Sequence, residues 1–218
     1  LDGTVRWVPL SVRGVSPSDE RFPSVPEQRL ADGDWTRTDE TVETVFQLPG
    51  TRVEGATVLY GDERTRRAAA EYGARDQRWR FFFATKLTFT PSLSPGIGPA
   101  MILPTVRSEA NRTFKSELRD RGFESIERGR TERVRVASGD RAKLTQYRAE
   151  LPLSEPDATL PITGWVGVWH GDGFRIGAGA YPARPVADIL GIDEPPAVLT
   201  RTPERYRNEL IELIRAIE

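Results

Sequence analysis

Two runs of aromatic and β-branched residues around a short glycine turn constrain this chain more than any other feature. They lie within Thr163–Tyr181 and are separated by Gly171-Asp172-Gly173. An Asp-Gly pair tolerates the positive φ angles of tight hairpin turns, so the stretch predicts two antiparallel strands. The second run contains Gly177 and Gly179, where we expect the strand to bend or another group to pack close to the backbone.

Alternation of side chains predicts further strands on both sides of this hairpin. Between Trp79 and Thr90, aromatic and aliphatic residues alternate with polar or small ones. This pattern predicts a strand with one face on the core and the other mostly in water. Two charged strands joined by Ser138-Gly139-Asp140 are expected at an edge of the sheet. In addition to 79–90, strands are predicted over 41–47, 53–60, 123–136 and 141–153.

Capping residues and apolar spacing predict three helices. The first, Glu63–Tyr72, is capped by Asp62 and ended by Gly73. The second covers Thr105–Arg121, and a C-terminal helix begins at Thr202-Pro203-Glu204. Helical spacing gives each of the last two one apolar face, made of Val106, Ala110, Phe114 and Leu118 and of Tyr206, Leu210, Leu213, Ile214 and Ile217.

These elements predict a single α+β domain over residues 1–218. Its sheet is expected to be mainly antiparallel, with flanking helices that include the amphipathic C-terminal one. Residues 1–38 are expected to be partly irregular, because prolines and Gly33 interrupt a polar stretch after a strand candidate at Val5–Leu10. A short helical turn is expected at Val186–Leu190.

Composition argues against several classes of function. The 31 basic and 32 acidic residues leave a net charge of −1, so no whole-protein field favours nucleic acid or an anionic membrane. The chain has no cysteine, which excludes disulfides and thiolate chemistry. It has no apolar run long enough to span a membrane. Because it begins at Leu1 and its sole methionine is Met101, we expect an upstream segment to be absent; a cytoplasmic location is the default, with an exported or anchored form as the alternative.

The sequence predicts no catalytic residue, metal or cofactor. His170 is the only histidine, and without cysteine or a spaced partner it is interpreted as a surface residue beside the turn. Next to Trp169, it is a candidate binding residue rather than a catalytic one. No Gly-x-Ser-x-Gly elbow is present, and the glycine-rich stretches lack the context of a phosphate-binding loop. An acid–base pair would require two carboxylates that converge in a cleft. The candidate acidic pairs, each close together in the sequence, are Asp32 with Asp34, Glu150 with Glu155, and Asp193 with Glu194.

Two apolar features are candidate binding surfaces. Pro91–Thr105 contains four prolines and two glycines, which predicts irregular structure. It also carries Ile97, Met101, Ile102 and Leu103, so it is either a lid on the core or a contact surface for a partner.

The second candidate surface is a pair of tryptophans on one strand face. Trp165 and Trp169 flank Gly167, and the notch between two indoles would suit a planar or sugar-like ligand. Packing of both rings against the C-terminal helix is the alternative, and it is the favoured one.

The order of elements from Trp79 onward resembles the second part of a PsbP-like α/β fold: a strand, a helix, two hairpins with Gly-Asp turns and a final amphipathic helix. The local sequences Trp79–Thr85 and Gly179–Pro182, together with arginine in place of most lysines, also resemble those of uncharacterised haloarchaeal proteins. Proteins of the PsbP-like fold are mostly binding or assembly modules. The resemblance therefore implies a function without catalysis.

Three functional hypotheses follow. The first is a non-enzymatic binding or assembly module for a protein partner, which would use the 95–104 loop or the tryptophan face. The second is a carrier of the helix-grip type, with an apolar ligand enclosed between a curved sheet and the last helix. The third, a hydrolase, would need two carboxylates facing each other across a cleft.

Overall fold

A computed structural model describes residues 20–93, 96–153 and 158–218. Within these ranges the strands form a seven-stranded sheet with the order β1-β2-β3-β7-β6-β5-β4, and all neighbours in it are antiparallel. The predicted α+β class with a mainly antiparallel sheet is confirmed. The strand candidate at Val5–Leu10 lies outside the described residues.

The described residues form five helices and seven strands. The helices are α1 (Glu27–Asp32), α2 (Glu63–Glu71), α3 (Pro99–Asp120), α4 (Val186–Leu190) and α5 (Pro203–Arg215). The strands are β1 (Trp35–Leu48), β2 (Thr51–Asp62), β3 (Phe81–Thr90), β4 (Glu124–Arg135), β5 (Arg141–Leu153), β6 (Ala158–His170) and β7 (Phe174–Pro182). Two meanders, β1–β3 and β4–β7, are joined through α3, and the pairing of β7 with β3 closes them into one sheet.

The predicted central hairpin is β6–β7, and its turn is closed by the Gly171 N–H, which donates to the Gly173 carbonyl over 3.1 Å. The expected close approach on the second strand is also present. A methyl group on Gly179 would lie 2.4 Å from the carbonyl oxygen of Phe81 and 2.6 Å from Cδ1 of Leu210. Helix α5 therefore rests directly on β7, at a place where only glycine leaves room.

Helices cover both faces of the sheet. On one face, α3 buries the stripe that its spacing predicted, and the ring of Phe114 lies 5.6 Å from that of Tyr147. On the other face, α5 buries its predicted apolar side, including Leu210 and Ile214, in a cluster with Trp165 and Trp169. The amphipathic patterns of both helices thus identified their buried faces correctly.

The prediction that one face of β3 is exposed to water is wrong for the first half of the strand. Arg80, just before the strand, and Phe82 and Ala84 within it are all buried. Trp35 covers this side, with its ring 6.2 Å from that of Phe82, and α5 packs on the same cluster. The alternation was interpreted as one-sided burial because a covering helix far along the chain leaves no mark in the strand itself.

The segment 91–105 is not irregular throughout, because α3 begins at Pro99 rather than at Thr105. Proline suits the first helical position, where the backbone N–H has no partner within the helix. Pro104 then lies inside the helix, where its ring removes one backbone donor. Two of the four prolines that predicted a loop, Pro99 and Pro104, belong instead to the first turns of the longest helix within the described ranges.

The N-terminal third also holds more regular structure than predicted. Helix α1 follows Pro26, and β1 begins at Trp35, six residues before the predicted Thr41. Later in the chain, β6 begins at Ala158, five residues before the predicted hairpin stretch begins at Thr163. Short helices and strand ends lack the length that makes a periodic pattern recognisable.

The predicted starts of α2 and α5 and the predicted sheet edge are confirmed. The Asp62 carboxylate accepts from the Thr65 N–H over 2.9 Å at the start of α2, and Gly73, with φ +80°, follows its end. Thr202 Oγ1 accepts from the Arg205 N–H over 3.4 Å at the start of α5. The charged strand β4 forms one edge of the sheet.

Candidate functional site

The predicted apolar segment divides into an exposed part and an anchored part. Met101 is 67% exposed and Ile97 is 39% exposed. Ile102 and Leu103 are half-buried and pack against the core cluster that includes the α3 stripe. The start of α3 is thus both a lid and a surface: two side chains hold it to the core and two face the solvent.

Trp165 and Trp169 are not accessible, and this contradicts their interpretation as a ligand notch. Both indoles are buried, and Trp165 Nε1 donates to the Tyr181 hydroxyl over 3.2 Å. A methyl group on Gly167 would lie 2.2 Å from Cδ2 of Leu144, so the side chain of a neighbouring strand fills the notch. The favoured alternative, packing on the side of α5, is the arrangement in the structure.

His170 lies at the end of β6, half-buried beside the turn. Its ring meets that of Phe174 edge-on, with 4.6 Å between the centroids. The part of the chain that the structure describes has no group of three or more histidine or acidic side chains placed to hold a metal ion. His170 therefore makes an aromatic contact with Phe174 across the turn between β6 and β7.

A cleft that the sequence did not predict opens between three segments. Arg75 and Arg78 come from the connection after α2, Arg121 follows α3, and Leu151 and Leu153 end β5. The cleft has a volume of about 380 Å³. Its guanidinium groups and its apolar wall come from parts of the chain that only the fold brings together.

Arg121 is the best-defined cation in this cleft. Its guanidinium lies 5.0 Å from the ring centroid of Phe81, which is cation–π distance. Its Nε is 3.6 Å from Oε2 of Glu117, and a third of its side chain is exposed. Burial lowers the pKa of Arg121, and the charge of Arg78 lowers it further, while Glu117 opposes both effects.

Glu117 on α3 pairs with this cation, and Glu43 on β1 interacts with Glu117. Burial raises the pKa of Glu117, and the charge of Asp120 adds to that effect, while Arg121 counters it. Burial also raises the pKa of Glu43, and the charge of Glu117 adds to it. Neither glutamate is among the described residues that line the cleft. The arrangement can hold an anion, but it does not present a carboxylate pair to a substrate there.

A second cationic cluster, around Arg80, is fully enclosed. The guanidinium of Arg80 lies between the rings of Trp35 and Tyr206, at 4.4 Å and 4.7 Å from their centroids. Its Nε is 3.1 Å from Asp62 Oδ2 and its Nη2 is 2.8 Å from Glu209 Oε2. Burial raises the pKa of Tyr206 to about 12, so this phenol stays neutral. Arg80 is 1% exposed, so the cluster offers no access to a ligand. It joins the segment before β3 to the end of β2 and to α5.

Fold and surfaces together define an α+β protein built on an antiparallel sheet, with a small apolar surface at the start of α3 and a cationic cleft at its end. The chain belongs to a family described as a domain of unknown function, DUF6517, whose model matches residues 22–218. The predicted membership in an uncharacterised family is confirmed at this level, and the haloarchaeal and PsbP-like resemblances stay predictions.

No curated protein matches the chain. Among solved structures, the Ran-binding protein Mog1p of Saccharomyces cerevisiae is similar, with a TM-score of 0.37 and 11% sequence identity. The match covers 83% of this chain and 96% of that one. At this score the likeness carries no functional inference. Across the described ranges, no helix has both the length and the apolar character that a membrane crossing requires.

Proposed function

We propose that this chain is a non-enzymatic binding module that contacts a protein partner through the start of α3. The observation that carries the proposal is the exposure of Met101, 67%, next to two residues that anchor the same helical turn. Large apolar side chains on a protein surface indicate interaction sites when they are grouped. Ile97 lies four residues earlier and is also exposed.

The local structure suits this role. Ile102 and Leu103 hold the first turns of α3 against the core, so Met101 is presented from a fixed backbone. A fixed backbone lowers the ordering cost of association. Methionine also adapts to irregular partner surfaces, and its full removal from water contributes about 1.5–3 kcal/mol.

The carrier hypothesis finds less support at the last helix. A helix-grip site needs space between the sheet and α5, yet a methyl group on Gly177 would lie 3.1 Å from Cγ2 of Ile214. The same helix touches β7 at Gly179. Direct contact at these two positions favours a filled layer over an enclosed ligand cavity.

The hydrolase hypothesis also lacks a supporting arrangement. A glycosidase-like pair needs two carboxylates that face one another across a substrate. The side chains that line the cleft, among the described residues, are cationic, amide or apolar. The geometry therefore favours binding over carboxylate catalysis.

The proposal is tested by charge substitution at Met101 with a matched control on another exposed apolar residue. The tagged chain would first be used to capture its partner from the native cells. The purified partner would then be titrated against the wild type, Met101→Glu and Val42→Glu. Val42 is 49% exposed on β1, so the control adds the same charge to a comparable site. Glutamate in the first turn of a helix is favourable, so Met101→Glu should not lower stability.

We expect Met101→Glu to weaken partner binding at least tenfold and Val42→Glu to leave it unchanged. Equal affinities for wild type and Met101→Glu, with the fold intact, would contradict the proposed contact surface. An equal loss in both variants would also contradict it, since the effect would then be one of charge anywhere on the surface.

A further inference from the structure

The geometry points to a ligand site in the cleft at the end of α3. We propose that the cleft between Arg78 and Arg121 binds a small organic anion with a flat apolar body, either an aromatic carboxylate or an aryl phosphate ester. This site lies at the opposite end of α3 from Met101, and the inference does not depend on the proposed protein contact.

The charge of the site argues for an anion. Arg78 and Arg121 both line the same cleft, and the positive charge of Arg78 lowers the pKa of Arg121. The ion pair of Arg121 with Glu117 is long, at 3.6 Å, and uses Nε. A carboxylate or phosphate between the two guanidinium groups would relieve the repulsion with charge-assisted hydrogen bonds.

The enclosed cluster around Arg80 provides a comparison for the charge of the cleft. Arg80 has two carboxylates, Asp62 and Glu209, at 3.1 Å and 2.8 Å. Among the described residues, Arg121 has a single carboxylate at a greater distance and shares its surroundings with a second cation. The charged side chains that line the cleft, among the described residues, are therefore all cationic. The carboxylates that interact with them, Glu117 with Arg121 and Asp39 with Arg78, lie outside its lining.

The walls of the site argue for a flat apolar body rather than a bare inorganic ion. Phe81 supports the guanidinium of Arg121, and Phe123 and Leu153 line the same space. An aromatic ring could pack against these side chains while its anionic group reaches the arginines. The volume of about 380 Å³ falls within the range of about 300–1,000 Å³ that is typical of small-molecule sites.

Four probes separate these contributions in calorimetric titrations of the full chain. Phenyl phosphate and benzoate carry both the ring and the charge, inorganic phosphate carries the charge alone, and benzyl alcohol carries the ring alone. We expect phenyl phosphate or benzoate to bind at least tenfold more tightly than inorganic phosphate and benzyl alcohol. If neither aromatic anion binds, or if inorganic phosphate binds as tightly, the proposal is wrong.

Variants locate the binding. We expect Arg121→Gln to weaken the aromatic anion at least tenfold, and Arg121→Lys to recover part of the loss, because lysine keeps the charge but not the planar group that stacks on Phe81. Arg78→Gln, at an exposed position, gives a second test in case Arg121 also matters for folding. The control, Arg112→Gln, removes an exposed charge from the middle of α3. Equal binding by wild type, Arg121→Gln and Arg78→Gln, or an equal loss in Arg112→Gln, would overturn the assignment.

Discussion

The buried guanidinium of Arg80 is the clearest feature at the scale of single residues. Transfer of a charge from water into a protein core is costly unless partners compensate it. Here two carboxylates and two aromatic rings surround the group. The sequence pattern placed Arg80 on the wet side of a strand. It could not show that Asp62, Glu209 and the two rings would converge on it from distant positions.

We predict that Arg80→Met destabilises the fold by about 3–5 kcal/mol, because it leaves the Asp62 carboxylate buried without its cation. Chemical denaturation gives the free energy of unfolding. Arg112→Met, at a side chain that is 75% exposed, is the matched control and should change stability by no more than about 0.5 kcal/mol. Similar values for the two variants would show that the enclosed pair does not hold the fold together.

The half-buried carboxylate of Glu117 supports a prediction about pH. Its pKa is raised above the ordinary value of 4.5, mainly by burial, so the folded state binds its proton more readily than the unfolded state. The favourable contribution is complete below the unfolded pKa and is lost as the pH rises through the folded one. We therefore expect Glu117→Gln, which cannot ionise, to gain stability relative to wild type as the pH rises from about 4 to 7.

Denaturation of wild type and Glu117→Gln across that pH range measures the difference in unfolding free energy. A difference that stays constant with pH would show that the carboxyl titrates as it does in the unfolded chain. A difference that changes in the opposite direction would show that the ion pair with Arg121 outweighs burial.

At the scale of elements, α3 shows what sequence patterns reveal and what they miss. The spacing of Val106, Ala110, Phe114 and Leu118 predicted its buried face. Its first six residues were missed because Pro99 and Pro104 are loop signals when considered alone. The C-terminal helix was easier to predict, since its cap, its proline and its apolar stripe agree.

The divided start of α3 gives a prediction for this element. Ile102→Ala with Leu103→Ala should destabilise the fold by about 1–3 kcal/mol, less than for fully buried residues, because both side chains are half-buried on the core. Met101→Ala should change stability by no more than about 0.5 kcal/mol, since its side chain is exposed. Thermal unfolding of the wild type, the double variant and Met101→Ala measures these differences in stability. An equal cost for Met101→Ala would mean that its side chain also belongs to the core.

At the scale of the whole molecule, the sheet order explains why the cleft escaped prediction. Hairpins were predicted because their signals are local, as at Gly171-Asp172-Gly173 and Ser138-Gly139-Asp140. The pairing of β3 with β7 joins residues about a hundred positions apart, and no local pattern specifies it. Arg78, Arg121 and Leu153 share a cleft only as a consequence of that order.

The same strand order explains why the face with Trp165 and Trp169 is buried. Placing β6 between β5 and β7 brings Leu144 into the notch at Gly167 and leaves both indoles under α5. With that face buried, Ile97 and Met101 are the exposed apolar residues of the predicted binding set, and His170 is half-buried.

The most direct test of the binding account is to map the partner on the full chain by amide chemical shifts. Labelled protein would be titrated with the purified partner, and the perturbed amides would be placed on the sheet and helices. We predict that the largest changes fall on residues 96–103 and that Met101→Glu abolishes them. Perturbations confined to other surfaces, such as the β6–β7 turn at His170, would contradict the account.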